Sequence, residues 1–286
     1  MVDWEEPVPL RTFFALDQGL PTDVAAVRMT ATNATDFGFI DVHMYPLELH
    51  RLRTTDFDAL WAGNDVVNVR WNGAVWNHLA LNDHLWPAAE RYGLQKLSKR
   101  QVFEAAMHLF FAKPTRELAA LAEESLNRLS GASLKIGVQM RMGGGDWGDP
   151  TRYQGASLEH TVGCFVNEAV RTCGAATCAA NCSVFLTTDS EEAQAFFGKI
   201  IAPFRIPVVA SAGSISHLEH SATNASEHMK TFADWHTLTR MGRLIASRSG
   251  FAETAAWAGN VPARALVRAP GCLFTNGIEV PDGAEF

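Results

Sequence analysis

The 286-residue sequence has no apolar run approaching the ~18 residues that a membrane-spanning helix needs. It also lacks an excess of positive charge. With 24 Lys and Arg against 31 Asp and Glu the net charge is −7, which argues against a protein that coats nucleic acid or an anionic membrane. Any phosphate it binds must be held locally. Charged residues are only 19% and hydrophobic ones 47%, a balance that excludes disorder and coiled coil. No P-loop and no Gly-x-Ser-x-Gly elbow occurs, so P-loop kinases and α/β-hydrolases drop out. Tyrosine is scarce, three against 17 Phe and eight Trp, and tryptophan suits both core packing and stacking on flat faces. Met1 to Pro9 is acidic where a signal peptide starts basic, so the chain as given is expected to show no export signal and no membrane anchor.

Zinc spacing is missing as well. Of five cysteines, four fall between Cys164 and Cys182 without a Cys-x-x-Cys knuckle, and no metal site is expected. A local disulfide from Cys173 to Cys178 or Cys182 is one alternative, and reduced packing cysteines are the other. Sequons at Asn33, Asn181 and Asn224, together with the clustered cysteines, tilt the compartment toward an oxidising lumen. Asp56-Phe-Asp58 has the spacing of a metal-nucleotide motif, but the preceding Arg51 to Thr55 is polar, so the stretch reads as a helix start capped by Thr55. His217-Leu-Glu-His220 reads as a loop.

The length suggests about two domains, and the two halves differ in pattern. Up to about Leu85 the sequence is irregular, with short apolar pieces at Gly38 to Val42 and Asp65 to Val69 that read as strands. Helical periodicity follows over Trp86 to Tyr92 and Ser98 to Phe111, and again in a helix opened by Pro114 and Thr115. In that helix Leu118, Leu121, Ala122 and Leu129 share a face opposite Arg116, Glu123, Glu124 and Arg128. Beyond it, strands at Leu134 to Met140, Ser183 to Thr187, Ile206 to Ala210, Leu244 to Ala246 and Ala265 to Val267 alternate with helices. The helices are expected from Asp189, capped in a box with Glu192, through Ile200, from Lys230 to Arg243 and from Phe251 to Trp257. Strands separated by helices predict an α/β fold with a parallel, doubly wound sheet.

Ligands sit beyond the carboxyl ends of such strands. Arg141 ends the first strand, ahead of the loop Gly143-Gly-Gly-Asp146, Asp189 ends the second, and Ser247 with Ser249-Gly250 ends the strand at Leu244. An arginine fork matches phosphate oxygens, and a hydroxyl with unpaired amides before a helix favours the same anion. Asp189 suits either a base such as guanine or a helix cap. Taken singly, these are a surface ion pair, a cap and a turn; together on one sheet edge they point to a nucleotide site.

The segments Ile136-Gly-Val-Gln-Met-Arg141, Val184-Phe-Leu-Thr-Thr-Asp189, and Asp234 through Leu244-Ile-Ala-Ser-Arg-Ser-Gly-Phe251 resemble the three motifs of the GDP-fucose-dependent fucosyltransferase superfamily. The resemblance spans about Phe110 to Val267. It implies a GT-B-like fold, with a partial acceptor-side lobe and helical linker over 1–112 and a Rossmann-like donor domain over 113–286. It further implies that Arg141 meets the donor β-phosphate and that Asp189 holds guanine. Ser247, Ser249, Gly250 and Phe251 would bind the pyrophosphate, and Gln139 stands where many members have a His and plant cell-wall relatives a Gln. Gly143 and Asp234 complete the implied donor set. For the acceptor base the candidates are Asp146 and Asp149, or Glu159. No cofactor and no metal are implied beyond the donor GDP-fucose, and the partner is a glycan or glycoprotein in the Golgi or secretory lumen. A noncatalytic GDP- or glycan-binding protein, or a transferase using another nucleotide sugar, are the alternatives.

Overall fold

A computed structural model describes residues 34–40, 50, 52–60, 62–63, 66–71, 82–91, 93, 96–143, 153, 155–175, 181–213, 215 and 225–277. The chain divides into two compact units, with the boundary at Ala106/Met107.

In the first unit β1 (Ala34–Ile40), α1 (Phe57–Leu60), β2 (Val66–Trp71) and α2 (Trp86–Arg91) follow in order, and β1 pairs with β2 in parallel. The Asp56 motif does begin a helix, but Asp56 itself is the cap. Its Oδ1 accepts the Ala59 N–H at 2.9 Å, replacing the expected Thr55, because the helix starts at Phe57 and Asp56 is the residue immediately before it. The boundary falls inside α3 (Lys99–Phe111).

The second unit opens with α4 (Arg116–Arg128), where Thr115 accepts from the Leu118 N–H as expected of a cap. Its inner face is Leu118, Ala122, Ser125 and Leu126, while Arg116, Glu123, Glu124 and Arg128 are exposed. Then come β3 (Leu134–Met140), α5 (Leu158–Ala175), β4 (Cys182–Thr188), α6 (Glu191–Ile201), β5 (Val208–Val209), α7 (Ala225–Leu238), β6 (Arg243–Ser247), α8 (Gly250–Ala258), β7 (Ala263–Arg268) and β8 (Leu273–Asn276). The six strands lie in the order β5-β4-β3-β6-β7-β8, all parallel except β8 against β7.

Alternation along the strands builds two cores, one on each face. Ile136, Val138 and Met140 of β3, with Val184, Leu186, Ile245 and Leu266, pack against Phe165 of α5 and Phe197 and Ile201 of α6. Phe185, Leu244, Ala246 and Ala265 point the other way, onto Leu126, Trp235, Leu238 and Ala252. Each fully buried large side chain contributes about 1.5–3 kcal/mol, so both helical layers are held mainly by burial. Gly137 belongs to the second face, where a Cβ would meet Leu244 Cδ2 at 2.5 Å and Leu238 Cδ2 at 2.7 Å, so its missing side chain lets α7 approach the sheet.

Three elements differ from the sequence reading. The helix expected over Lys230 to Arg243 ends at Leu238, because the Gly242 N–H donates to the Lys135 carbonyl at 2.8 Å and draws the chain into β6. Helix α5 and strand β8 were not anticipated. Of the alternative disulfides, Cys173–Cys182 is present, and a second bridge, Cys164–Cys272, links positions 108 apart. Cys178 and His217 to His220 lie outside the described residues.

His236 on α7 is partly buried near the Arg240–Glu123 pair. Burial lowers its pKa from the ordinary 6.5, Arg240 lowers it further, and Glu123 opposes. A lowered histidine makes the unfolded chain bind the proton first. Its contribution to stability is therefore complete above about pH 6.5 and lost as pH falls below that value. Urea midpoints taken between about pH 7.5 and 5.5 should show this decline, and His236→Gln should flatten the part of the slope that His236 causes.

Candidate functional site

The strand order reverses between β3 and β6. Helices leave such a pair toward opposite faces, and a crevice opens outside the two carboxyl ends. Arg141 follows β3 directly, and Ser247 closes β6.

These two ends are tied together. The Arg141 N–H donates to Ser247 Oγ at 2.8 Å, and the Tyr153 hydroxyl donates to the same oxygen at 2.7 Å. Ser247 is fully buried and Tyr153 nearly so. The chain beyond Arg141 is held from the neighbouring strand by Asp189. Its Oδ1 accepts the Met142 N–H at 2.7 Å, and its Oδ2 accepts the Gly143 N–H at 3.1 Å and pairs with Arg141 Nε at 3.3 Å. Gly143 has a φ of 66°, a left-handed conformation that costs glycine little and lets successive amides turn to one carboxylate.

Asp189 was expected to share a capping box with Glu192, but Ser190 caps α6, accepting from the Ala193 N–H at 3.1 Å. A carboxylate offers about four lone-pair sites. With three taken inside the fold, this one ties the Arg141 side chain to the two amides that follow it.

On the other bank, Ser249 caps α8. Its Oγ accepts from the Ala252 N–H at 3.3 Å and donates to Gln139 Oε1 at 3.2 Å, both side chains being buried. Gly250 is exposed at the start of α8, and Phe251 packs against the second core. First-turn amides lack intrahelical acceptors and favour an anion. Ser249 and the buried first-turn Glu253 already answer part of that field, and formal positive charge at this edge is carried by Arg141 and by Arg248, which follows Ser247 directly.

Asp234 on α7 is drawn inward. It accepts from Thr187 Oγ1 at 3.0 Å, from Lys230 Nζ at 2.7 Å and from the Ser211 hydroxyl, which ties α7 to the ends of β4 and β5. Asp146 and Asp149 lie outside the described residues, and Glu159 is exposed in the first turn of α5. Among the described residues one group has metal-ligand spacing, His160, Cys164 and Cys272, and both of its sulfurs are spent in the disulfide. Of the residues singled out in the sequence, Arg141, Gly143, Asp189, Ser247, Ser249 and Gln139 lie at one edge, and the bond between the last two is seen only in the structure. Sequence reasoning did not find Tyr153, Ser190, Lys230 or Ser211, whose partners lie far along the chain or depend on rotamer choice.

No protein-family model matches this chain, and no curated protein matches it in sequence. Solved structures do. FUT1 of Arabidopsis thaliana, a variant in complex with GDP, superposes with a TM-score of 0.57 at 15% identity, covering 96% of this chain and 63% of that one. NodZ, an alpha-1,6-fucosyltransferase soaked with GDP-fucose, gives a TM-score of 0.50 at 15% identity over 95% of this chain and 85% of its own. The chain therefore spans less than two thirds of FUT1 and most of NodZ. The topology, the doubly wound sheet and these likenesses together identify a GT-B-type α/β fold.

Proposed function

We propose that this chain transfers fucose from GDP-fucose to a glycan or glycoprotein acceptor in the secretory lumen, with inversion and without a metal. The observation that carries this reading is Arg141 at the strand-order reversal, paired with Asp189 and joined through its backbone to Ser247, two residues before the Ser249 cap of α8. Support for the donor comes from the nucleotides of the neighbours, GDP with FUT1 and GDP-fucose with NodZ.

In inversion the acceptor oxygen attacks the anomeric carbon as the pyrophosphate departs, and negative charge grows on the leaving oxygens. The Arg141 guanidinium meets that charge as a planar fork, with the α8 amides at Gly250 and Phe251 adding a weaker, fixed dipole. Ser247 and Tyr153 keep the two strand ends at constant spacing, so the charge is preorganised. Asp146, Asp149 and Glu159 are the carboxylates proposed to take the acceptor proton.

The second reading is a protein that binds GDP and does not transfer. Incubation with GDP-fucose, GDP-mannose and UDP-galactose, with released nucleotide measured with and without EDTA, separates the two. GDP should be released from GDP-fucose alone and equally in EDTA. GDP binding without release supports the second reading, and loss of turnover in EDTA restored by Mn²⁺ removes the metal-free mechanism. Asp189→Asn should weaken GDP and UDP by the same factor if this carboxylate braces Arg141. A loss confined to GDP would return it to the base.

A further inference from the structure

We infer that Tyr153 is a positioning residue for Arg141, acting through the Ser247 hydroxyl. Its phenol donates to Ser247 Oγ at 2.7 Å, and that oxygen also accepts the Arg141 backbone N–H at 2.8 Å. The Ser247 hydroxyl lies near the Arg141 carbonyl at 3.4 Å, so its proton has a partner on the same residue. One buried oxygen therefore joins the end of β6, the first residue after β3 and the return of the chain toward α5.

The ring is fixed independently of its hydroxyl. It meets Phe165 edge-on at 6.4 Å, and Phe165 meets Phe274 edge-on at 5.9 Å, so α5 and β8 set where the phenol stands. A phenylalanine would keep those ring contacts and lose the hydrogen bond donated to Ser247 Oγ. Ser247 would then be free to turn its hydroxyl, and the Arg141 amide would lose a fixed acceptor. Asp189 still holds Met142 and Gly143, so the result is a looser strand end and not an unfolded one. The effect on ligand binding rests on the reading above, that Arg141 holds the donor pyrophosphate, whereas the effect on backbone order does not.

Amide hydrogen exchange and GDP calorimetry on Tyr153→Phe, Ser247→Ala and the double variant test this. In Tyr153→Phe, exchange at Arg141 should quicken about tenfold, the factor for one buried hydrogen bond, and GDP affinity should fall by a similar factor while the melting temperature drops by only about 2–4 °C. In the Ser247→Ala background the same substitution should add nothing. Unchanged exchange at Arg141 in Tyr153→Phe, or additive losses in the double variant, would overturn the inference. Faster exchange in a protein that binds no GDP even as wild type would keep the positioning role and remove the donor reading instead.

Discussion

Arg141→Ala is expected to lower turnover of GDP-fucose about 10²–10³-fold, the range seen when one preorganised donor to a developing oxyanion is removed. The fold should survive. Arg141 belongs to neither core cluster, and its guanidinium is partly exposed. Its removal leaves the nearly buried Asp189 carboxylate without that cation but with the Met142 and Gly143 amides as donors, so stability should fall in part while the fold holds. Arg141→Lys should recover little, because an ammonium supplies a point charge where the geometry uses a planar fork whose Nε is already fixed by Asp189. Steady-state GDP release, with melting curves on the same preparations, checks both halves. Wild-type turnover in Arg141→Ala would place the donor phosphates elsewhere.

A second large effect concerns stability. Helix α5 is stapled twice, by Cys164–Cys272 across 108 positions and by Cys173–Cys182 across nine. Constraint of the unfolded chain grows with loop length. On that account the long bridge contributes about 5 kcal/mol and the short one about 2.5 kcal/mol. Against a typical total of about 5–15 kcal/mol, losing the long one takes a third or more of the margin. Urea unfolding of the Cys164→Ser/Cys272→Ser and Cys173→Ser/Cys182→Ser variants should show the larger loss in the first. Equal losses would mean that local packing around the sulfurs, and not chain entropy, sets the values.

The sheet was legible wherever burial imposes alternation. Leu134 to Met140 was read with its ends correct, since one face must carry Ile136, Val138 and Met140 and the other Gly137 and Gln139. Helix α5 escaped although Val162, Phe165, Val166, Ala169 and Cys173 recur at helical spacing, because the stretch was read for the pairing of its cysteines and not for its period. Strand β8 has four residues and pairs by a reversal that no local pattern announces. At the site, Arg141 and Ser249 were found because a strand end and a helix start are sequence features. The partners of Asp189 were not, since a carboxylate after a strand can turn forward to cap a helix or back to a neighbouring loop. That choice is made by the tertiary position of Met142 and Gly143. The Cys164–Cys272 link and the Tyr153–Ser247 bond join positions 108 and 94 apart, beyond the reach of spacing arguments.

The Lys230–Asp234 pair, buried one helical turn apart on α7, limits how this protein can diverge. Loss of either partner strands a buried charge, at about 3–5 kcal/mol, whereas joint replacement by apolar residues is often neutral. The two positions are therefore mutationally coupled. A lineage leaves this state by passing through a variant near the edge of folding or by acquiring stabilising substitutions elsewhere first. Thr187 and Ser211, which share the same carboxylate, add two further positions to the set whose tolerated residues depend on one another.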